Sequence, residues 1–247
     1  MKSLVAFSAG LDSTTMLYSL LKEKQPEDEI VLGFVSYGQL WNYERIVSQR
    51  FAKLLGLKLI LLGSEDKLVL GTKMSVKERG YIPMRNPYIL SVMVNHAVLE
   101  GFEKVYLGIT AGCLYPDSTR EFIERYEFMM QEALLEESLP KIEVPLINLT
   151  MDEIVEMSKT FYVPHHLTFS CYRQPREGDR AVCGSCPKCT DRYNTFRLAG
   201  YPHDPIGDLI ADFDESHGFE SIVSYQCVED RHEDCVLIDC SCGHHGE

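Results

Sequence analysis

Two groups of residues in this chain have types and spacings suited to chemistry. The first is Ser8-Ala9-Gly10-Leu11-Asp12-Ser13-Thr14. It follows an apolar run at residues 4–7 and precedes a helix-like stretch at residues 15–21. A strand, a tight small-residue turn and a helix together aim backbone N–H groups at a phosphate. Gly10 permits close approach and a sharp bend, and Ser8, Ser13 and Thr14 offer hydroxyl donors. The loop lacks the Gly-x-x-x-x-Gly-Lys-Ser/Thr spacing of the Walker loop and has no lysine. Taken alone, the heptapeptide also suits a plain strand-to-helix turn with a Ser/Asp cap.

The second group is Cys171, Cys183, Cys186 and Cys189, spaced x11, x2 and x2. Two overlapping Cys-x2-Cys steps let thiolates converge on one tetrahedral ion, and the distal cysteine closes the fourth position. Gly184 permits the tight turn between two of them. Four sulfurs leave no open position for water, so the expectation is a structural Zn2+; an iron–sulfur cluster would use the same ligands. His165 and His166 suit the C-terminal end of a helix, where they complement its dipole, better than a ligand role. Four more cysteines, Cys227, Cys235, Cys240 and Cys242, lie with His244 and His245 near the C-terminus, and Cys113 stands alone. Their spacing fits no defined site, and a second metal site and a disordered Cys/His-bearing end both remain open.

The elements that must position these groups alternate along the chain. Residues 4–7, 30–35, 57–62, 104–109 and 142–147 read as strands, the last as an edge because of Pro145. Helical spacing marks residues 15–21, 42–55, 88–99 and 120–136, and the third of these is apolar on most sides, which predicts burial. Thr150 and Glu153 form a capping-box pattern that opens a further helix, and a short one is expected over residues 191–199. Residues 63–80 read as a polar lid or insertion, and residues 222–225 as a lone strand. Strand and helix in alternation predict an α/β fold with a doubly wound, mostly parallel sheet and a small C-terminal zinc-binding segment. Right-handed crossovers then bring residues 8–14 to the rim formed by the strand C-termini. The expected divisions are a nucleotide-binding α/β domain at residues 1–165, a zinc-binding segment with the four clustered cysteines at 166–205 and an acidic Cys/His-bearing tail at 206–247.

The net charge is -13 over 247 residues. Residues 203–247 carry 12 Asp/Glu against one Arg, leaving 25 acidic and 23 basic side chains in the rest. A chain of this sign is a poor binder of polyanions, so no direct nucleic-acid contact is expected. The tail reads equally as a solvated surface or as a docking surface for a protein partner. No apolar run spans a membrane, and a strand begins too early for a targeting peptide; a cytoplasmic protein with reduced thiols is expected.

In order and spacing, several motifs resemble the 7-cyano-7-deazaguanine synthases, the QueC family, within the ATP pyrophosphatase (PP-loop) superfamily. They are Phe7-Ser8-x-Gly10-x-Asp12-Ser13-Thr14-Thr15, Tyr37-Gly38-Gln39 with Glu44, and Pro83-x-Arg85-Asn86. Further on stand Tyr115-Pro116-Asp117 with Glu121-Phe122-Ile123, Leu149-Thr150-x-x-Glu153-Ile154-Val155, and Leu167-Thr168-x-Ser170-Cys171-Tyr172 ahead of Cys183-Gly184-x-Cys186-x-x-Cys189. The similarity runs from about Lys2 to about Pro205. Ala9 replaces a glycine of the family loop, Ser36 replaces Asp, Leu40-Trp41 replaces Arg-His, and Ser118-Thr119 replaces Cys-Arg.

The resemblance implies an ATP-dependent carbon–nitrogen ligase. Such an enzyme adenylates the carboxylate of 7-carboxy-7-deazaguanine and, with ammonia, forms 7-cyano-7-deazaguanine by way of the amide. It implies ATP contacts at Phe7, Ser8, Ala9, Gly10, Leu11, Asp12, Ser13, Thr14, Tyr37 and Gly38, with Mg2+ beside the phosphates. Ser8, Asp12, Ser13 and Arg85 are the catalytic candidates. Asp12 either holds Mg2+ or braces the loop, and Arg85 faces the substrate carboxylate or the α-phosphate unless it makes a surface ion pair. Gln39, Arg85, Asn86, Tyr115 and Asp117 are the substrate-binding candidates. A homodimer is expected. Two other readings remain: a diverged enzyme of antiviral defence that conjugates the deazaguanine to a protein, and a non-catalytic nucleotide-binding module.

Overall fold

The computed structural model describes residues 1–38, 43–64, 82–111, 115–135, 139–172 and 182–201. Five strands, β1 (Lys2–Ala6), β2 (Glu29–Tyr37), β3 (Lys58–Ser64), β4 (Lys104–Tyr106) and β5 (Lys141–Glu143), form one sheet in the order β3-β2-β1-β4-β5. Every pairing is parallel. Register places Val5 opposite Leu32 on one side and opposite Tyr106 on the other. Successive side chains of a strand face opposite ways, and the central strand shows it. Leu4 and Val5 are both fully buried but belong to different apolar clusters. A strand buried on both faces needs a continuous apolar run, and residues 4–7 supply one.

Val5, Phe7 and Leu32 pack beneath α1 (Leu11–Glu23), α2 (Tyr43–Leu54), α5 (Met151–Thr160) and α6 (Pro187–Leu198). Leu4, Val31 and Val105 pack beneath α3 (Arg85–Glu100) and α4 (Arg120–Ala133). The cysteine segment is part of the first cluster: Cys171, Cys186, Cys189 and Phe196 share it with Phe7 and Phe51. The order of the strands reverses beside β1, between its β2 and β4 neighbours. In open α/β sheets that crevice is where ligands bind, outside the strand C-termini.

The expected elements are present with shifted ends. α1 begins at Leu11, so Asp12, Ser13 and Thr14 form its first turn instead of lying in the loop before it. α3 begins at Arg85, after a left-handed Met84 (φ 61°), and α6 begins at Pro187, where proline suits the first helical position. α3 buries only one side, through Leu90, Met93, Val94 and Ala97, while Leu99 is 73% exposed. A helix lying on a sheet touches it along a single stripe, so the surplus apolar residues of α3 face outward. β5 is an edge strand but ends before Pro145. The capping box of α5 is formed, with the Thr150 N–H donating to Glu153 Oε2 at 2.8 Å. Of the lid expected at residues 63–80, Gly63 and Ser64 instead end β3 and the rest lies outside the described residues, as do the strand expected at 222–225 and the C-terminal Cys/His group. Among the described residues no helix is long and apolar enough to cross a membrane.

Candidate active site

The chain leaves β1 through Phe7, whose N–H donates to the Gly33 carbonyl of β2 at 3.0 Å. Ala9 then turns the backbone into the left-handed region, at φ 56°. That conformation costs an L-residue about 1–2 kcal/mol, so neighbouring contacts must hold it. Gly10 caps α1, and the Thr14 N–H donates to its carbonyl at 2.9 Å. Ser13 faces back into the bend. Its hydroxyl donates to Gly10 O at 3.2 Å, lies 3.3 Å from Ser8 Oγ, and accepts from Ser8 N at 3.4 Å. A Cβ at Gly108, just beyond β4, would lie 3.3 Å from Ser13 N, so the glycine lets β4 and α1 close on the crevice. The result is a cup of backbone and hydroxyl donors at the positive end of a helix, which suits an anionic oxygen.

Two buried oxygens in the first turn of α1, Asp12 Oδ1 and Thr14 Oγ1, have no hydrogen-bond partner among the described residues. Burial pushes the Asp12 carboxyl up, while the nearby charges of Lys188 and Arg192 draw it down. A buried carboxylate oxygen left without a partner fits a hard cation, and Mg2+ carried with nucleotide phosphates takes one or two such oxygens.

Beside this cup lies a second group that the sequence scatters across more than a hundred residues. Tyr37 hydrogen-bonds to Arg85 and feels the charge of Glu44, and Tyr172 feels Tyr115, Arg85 and Glu44. Burial raises both phenols, that of Tyr172 to about 12. Burial also pushes the Glu44 carboxyl up to about 7, against the pull of Arg85 and Lys188. Arg85 therefore lies near Tyr37, Glu44 and Tyr172, and among the described residues no salt bridge to it is found. Glu44, Tyr172 and Lys188 were given no role from sequence. Glu44 accompanies Tyr37-Gly38-Gln39, Tyr172 follows Cys171, and Lys188 precedes Cys189 in the turn that opens α6.

Glu44 makes stability depend on pH in a defined direction. An ordinary glutamate titrates near 4.5, so between that value and about 7 the folded chain keeps a proton that the unfolded chain has lost. The stability from this group is complete below pH 4.5 and falls as pH rises through 7, by about 3 kcal/mol at most. Glu44→Gln should therefore match the parent near pH 4.5 and exceed it by about 1–3 kcal/mol at pH 8, read by urea unfolding at both pH values. An equal difference at the two pH values would show that the carboxyl is not held protonated.

Asn86 and Asp117 meet directly. The Asn86 side-chain amide donates to Asp117 O at 3.0 Å and to Ser118 Oγ at 2.8 Å, and its backbone N–H donates to Asp117 Oδ2 at 3.2 Å. The pair joins the start of α3 to the 3-10 turn at Pro116–Ser118, beside Tyr115. Tyr37 ends β2 and Gly38 follows it; Gln39 lies outside the described residues.

Four thiols gather at one place in the fold. Cys186 Sγ lies 3.4 Å from Cys189 Sγ and 4.0 Å from Cys171 Sγ, and Cys183 Sγ lies 3.9 Å from Cys189 Sγ. All four sulfurs fall within 4.8 Å of one another. Backbone N–H groups of Cys183 and Cys186 donate to Cys171 Sγ and Cys183 Sγ at 3.4 and 3.3 Å, as thiolate ligands require. Gly184 is left-handed, at φ 67°, in the turn between them. A metal ion is a natural occupant of such a cage. His165 is not a dipole-complementing cation. It is 8% exposed, 2.6 Å from Ser158 Oγ through Nε2, and burial with Arg192 and His166 nearby pulls its imidazole down to about 3. It packs instead as a neutral ring against Phe196 and Tyr201.

A sequence profile described as "Queuosine biosynthesis protein QueC" matches residues 2–200. The 7-cyano-7-deazaguanine synthase of Leptospira interrogans is 32% identical over 218 residues, covering 81% of this chain and 88% of that protein. The enzyme of the same name from Caldicellulosiruptor saccharolyticus is 29% identical over 234 residues, covering 87% and 99%. Among solved structures, the U34-tRNA thiolase NcsA from Methanococcus maripaludis with its 4Fe-4S cluster aligns at a TM-score of 0.46 and 14% identity, covering 81% of this chain and 66% of that one. NMN synthetase from Francisella tularensis aligns at 0.41 and 10%, covering 83% and 79%.

Proposed function

The chain belongs to the QueC family of queuosine biosynthesis proteins, and on that premise we propose that it converts 7-carboxy-7-deazaguanine into 7-cyano-7-deazaguanine with ATP and ammonia. The substrate carboxylate attacks the α-phosphorus of ATP and pyrophosphate leaves. Ammonia then adds to the acyl carbon, AMP departs, and an amide remains. The amide oxygen is adenylated by a second ATP, and loss of AMP with a proton leaves the nitrile. Adenylation turns a poor leaving oxygen into a good one and splits a hard step into easier ones.

The observation that carries this reading is the cup at the start of α1, with its donor groups and the unpaired Asp12 Oδ1. In this reading the N–H groups of the first turn, Ser8 and Ser13 hold the departing pyrophosphate, where fixed donors stabilise developing charge. Asp12 holds Mg2+, which adds positive charge at the phosphates. Arg85 offers a planar fork to the carboxylate or α-phosphate. Tyr115 and Asp117 flank the deazaguanine, and Gln39 completes the pocket. A cytoplasmic setting and a homodimer belong to the same reading.

For the cysteine centre we favour Zn2+ over an iron–sulfur cluster. A Zn–S bond of about 2.3 Å puts tetrahedral sulfurs about 3.8 Å apart; here three pairs lie 3.4–4.0 Å apart and all four sulfurs fall within 4.8 Å. A multi-iron cluster needs its thiolates spread wider.

Incubation with 7-carboxy-7-deazaguanine, ATP and ammonium should yield the nitrile by mass, with two AMP formed per nitrile. AMP release with no nitrile, and a covalent adduct of the base formed only when a partner protein is added, would replace this reading with protein conjugation. No AMP or pyrophosphate at all would leave only a binding module.

A further inference from the structure

The bend at Ala9 is held from outside. The Phe169 N–H donates to Ala9 O at 2.8 Å, a backbone bond across 160 residues of sequence. The Phe169 carbonyl lies over Gly10, where a Cβ would come within 3.7 Å of it. The Phe169 ring is 3% exposed and meets the edge of Tyr43 at 4.7 Å, which fixes this strap against α2. The left-handed Ala9, where the family loop carries a glycine, thus depends on where residues 168–170 sit.

Those residues are set by one side chain. Arg192, 5% exposed, donates through Nη1 to Thr168 Oγ1 at 2.8 Å and to Ser170 Oγ at 3.4 Å, on the two sides of Phe169. Its Nη2 donates to His165 O at 2.9 Å, and its guanidinium lies over the Phe196 ring at 4.9 Å. A planar fork reaching three acceptors fixes direction as well as distance, which a lysine does not do. Arg192 stands one residue short of a helical turn beyond Cys189, and Ser170 is followed directly by Cys171. Both ends of the strap's support are therefore anchored in the thiol cage.

We infer that Arg192 is a positioning residue that couples the cysteine centre to the nucleotide loop, so that metal and nucleotide each strengthen the binding of the other. The inference rests on the reading of the Ser8–Thr14 bend as a nucleotide site. An occupied cage fixes Cys171 and Cys189; Arg192 carries that order to Thr168 and Ser170; Phe169 passes it to Ala9. Coupling of this kind is reciprocal, so it can be read entirely from metal affinity.

The test uses zinc-loaded full-length protein. Zinc affinity is measured by equilibrium competition with a chelator, with and without a saturating non-hydrolysable ATP analogue, and analogue affinity by calorimetry. In the parent chain the analogue should tighten zinc binding by about 5-fold or more. Arg192→Lys, and independently Thr168→Val, should keep one zinc per chain, weaken analogue binding to the zinc-loaded protein by the parent's coupling factor, about 5-fold or more, and bring that factor close to one. A purely structural Arg192 would lower the melting temperature and leave the coupling factor at the parent value, which overturns the inference. A parent chain that binds the analogue with no effect on zinc overturns it as well. A parent chain that binds no analogue removes the proposed function and the inference together.

Discussion

Ser13→Ala should slow acyl-adenylate formation by about 100-fold or more while leaving deazaguanine binding almost unchanged. The expectation follows from where the hydroxyl lies. Ser13 is in the first turn of α1, 7% exposed, and its oxygen is the centre of the bend, in reach of Ser8 N, Ser8 Oγ and Gly10 O. These partners all belong to the bend itself, and none is Tyr115 or Asp117, which are proposed to flank the base. A group that acts on pyrophosphate as charge develops should lower the rate of adenylation without altering base affinity. Pyrophosphate release in single turnovers, set beside calorimetry of base binding, separates the two. Equal losses in both would remove the phosphate role. Loss of base binding alone would move Ser13 to the other pocket.

Cys186→Ala should abolish metal binding and lower the melting temperature by about 10 °C or more. Cys186 is 4% exposed, caps α6, and has the nearest sulfurs on both sides, Cys189 and Cys171. Removing it leaves three thiols without a tetrahedral set, in the same apolar cluster as Phe7, Phe51 and Phe196. The damage should therefore reach beyond residues 166–201 and appear as a less cooperative transition of the whole chain. Chelator treatment of the parent protein should reproduce it. A variant that keeps full metal content and an unchanged melting temperature would refute a structural role for the centre. Because the strap at residues 168–170 hangs between Cys171 and Arg192, the same substitution should also weaken nucleotide binding.

Much of this was legible in the sequence, for reasons that differ from one element to the next. Residues 4–7 announce a buried central strand because a strand covered on both faces must be apolar at consecutive positions. The Cys-x2-Cys steps announce a metal cage because ligands so close can converge through local turns, and Gly184 supplies the needed left-handed residue. The Thr150–Glu153 box is a contact within one helical turn, and it formed. The start of α6 was missed because Pro187 and the cysteines read as loop. Proline is at home at a first helical position, where its missing N–H is no loss. His165 was misplaced because its partners, Ser158 and Tyr201, come together only after the chain turns back on itself.

What the sequence alone determined is local: the alternating elements, the donor-rich bend at Ser8–Thr14, and the thiol cage, each made by residues within a few turns of one another. What the tertiary structure decided is which distant side chains meet at the rim. Glu44, Arg85, Tyr172, Lys188 and Arg192 arrive from α2, α3, the segment just after the strap and α6, and strand order and crossover handedness choose their neighbours. Burial then sets the charge each one carries, as in the raised carboxyl of Glu44. A residue's ordinary titration is a property of its side chain, but its shift belongs to the surroundings that folding assembles.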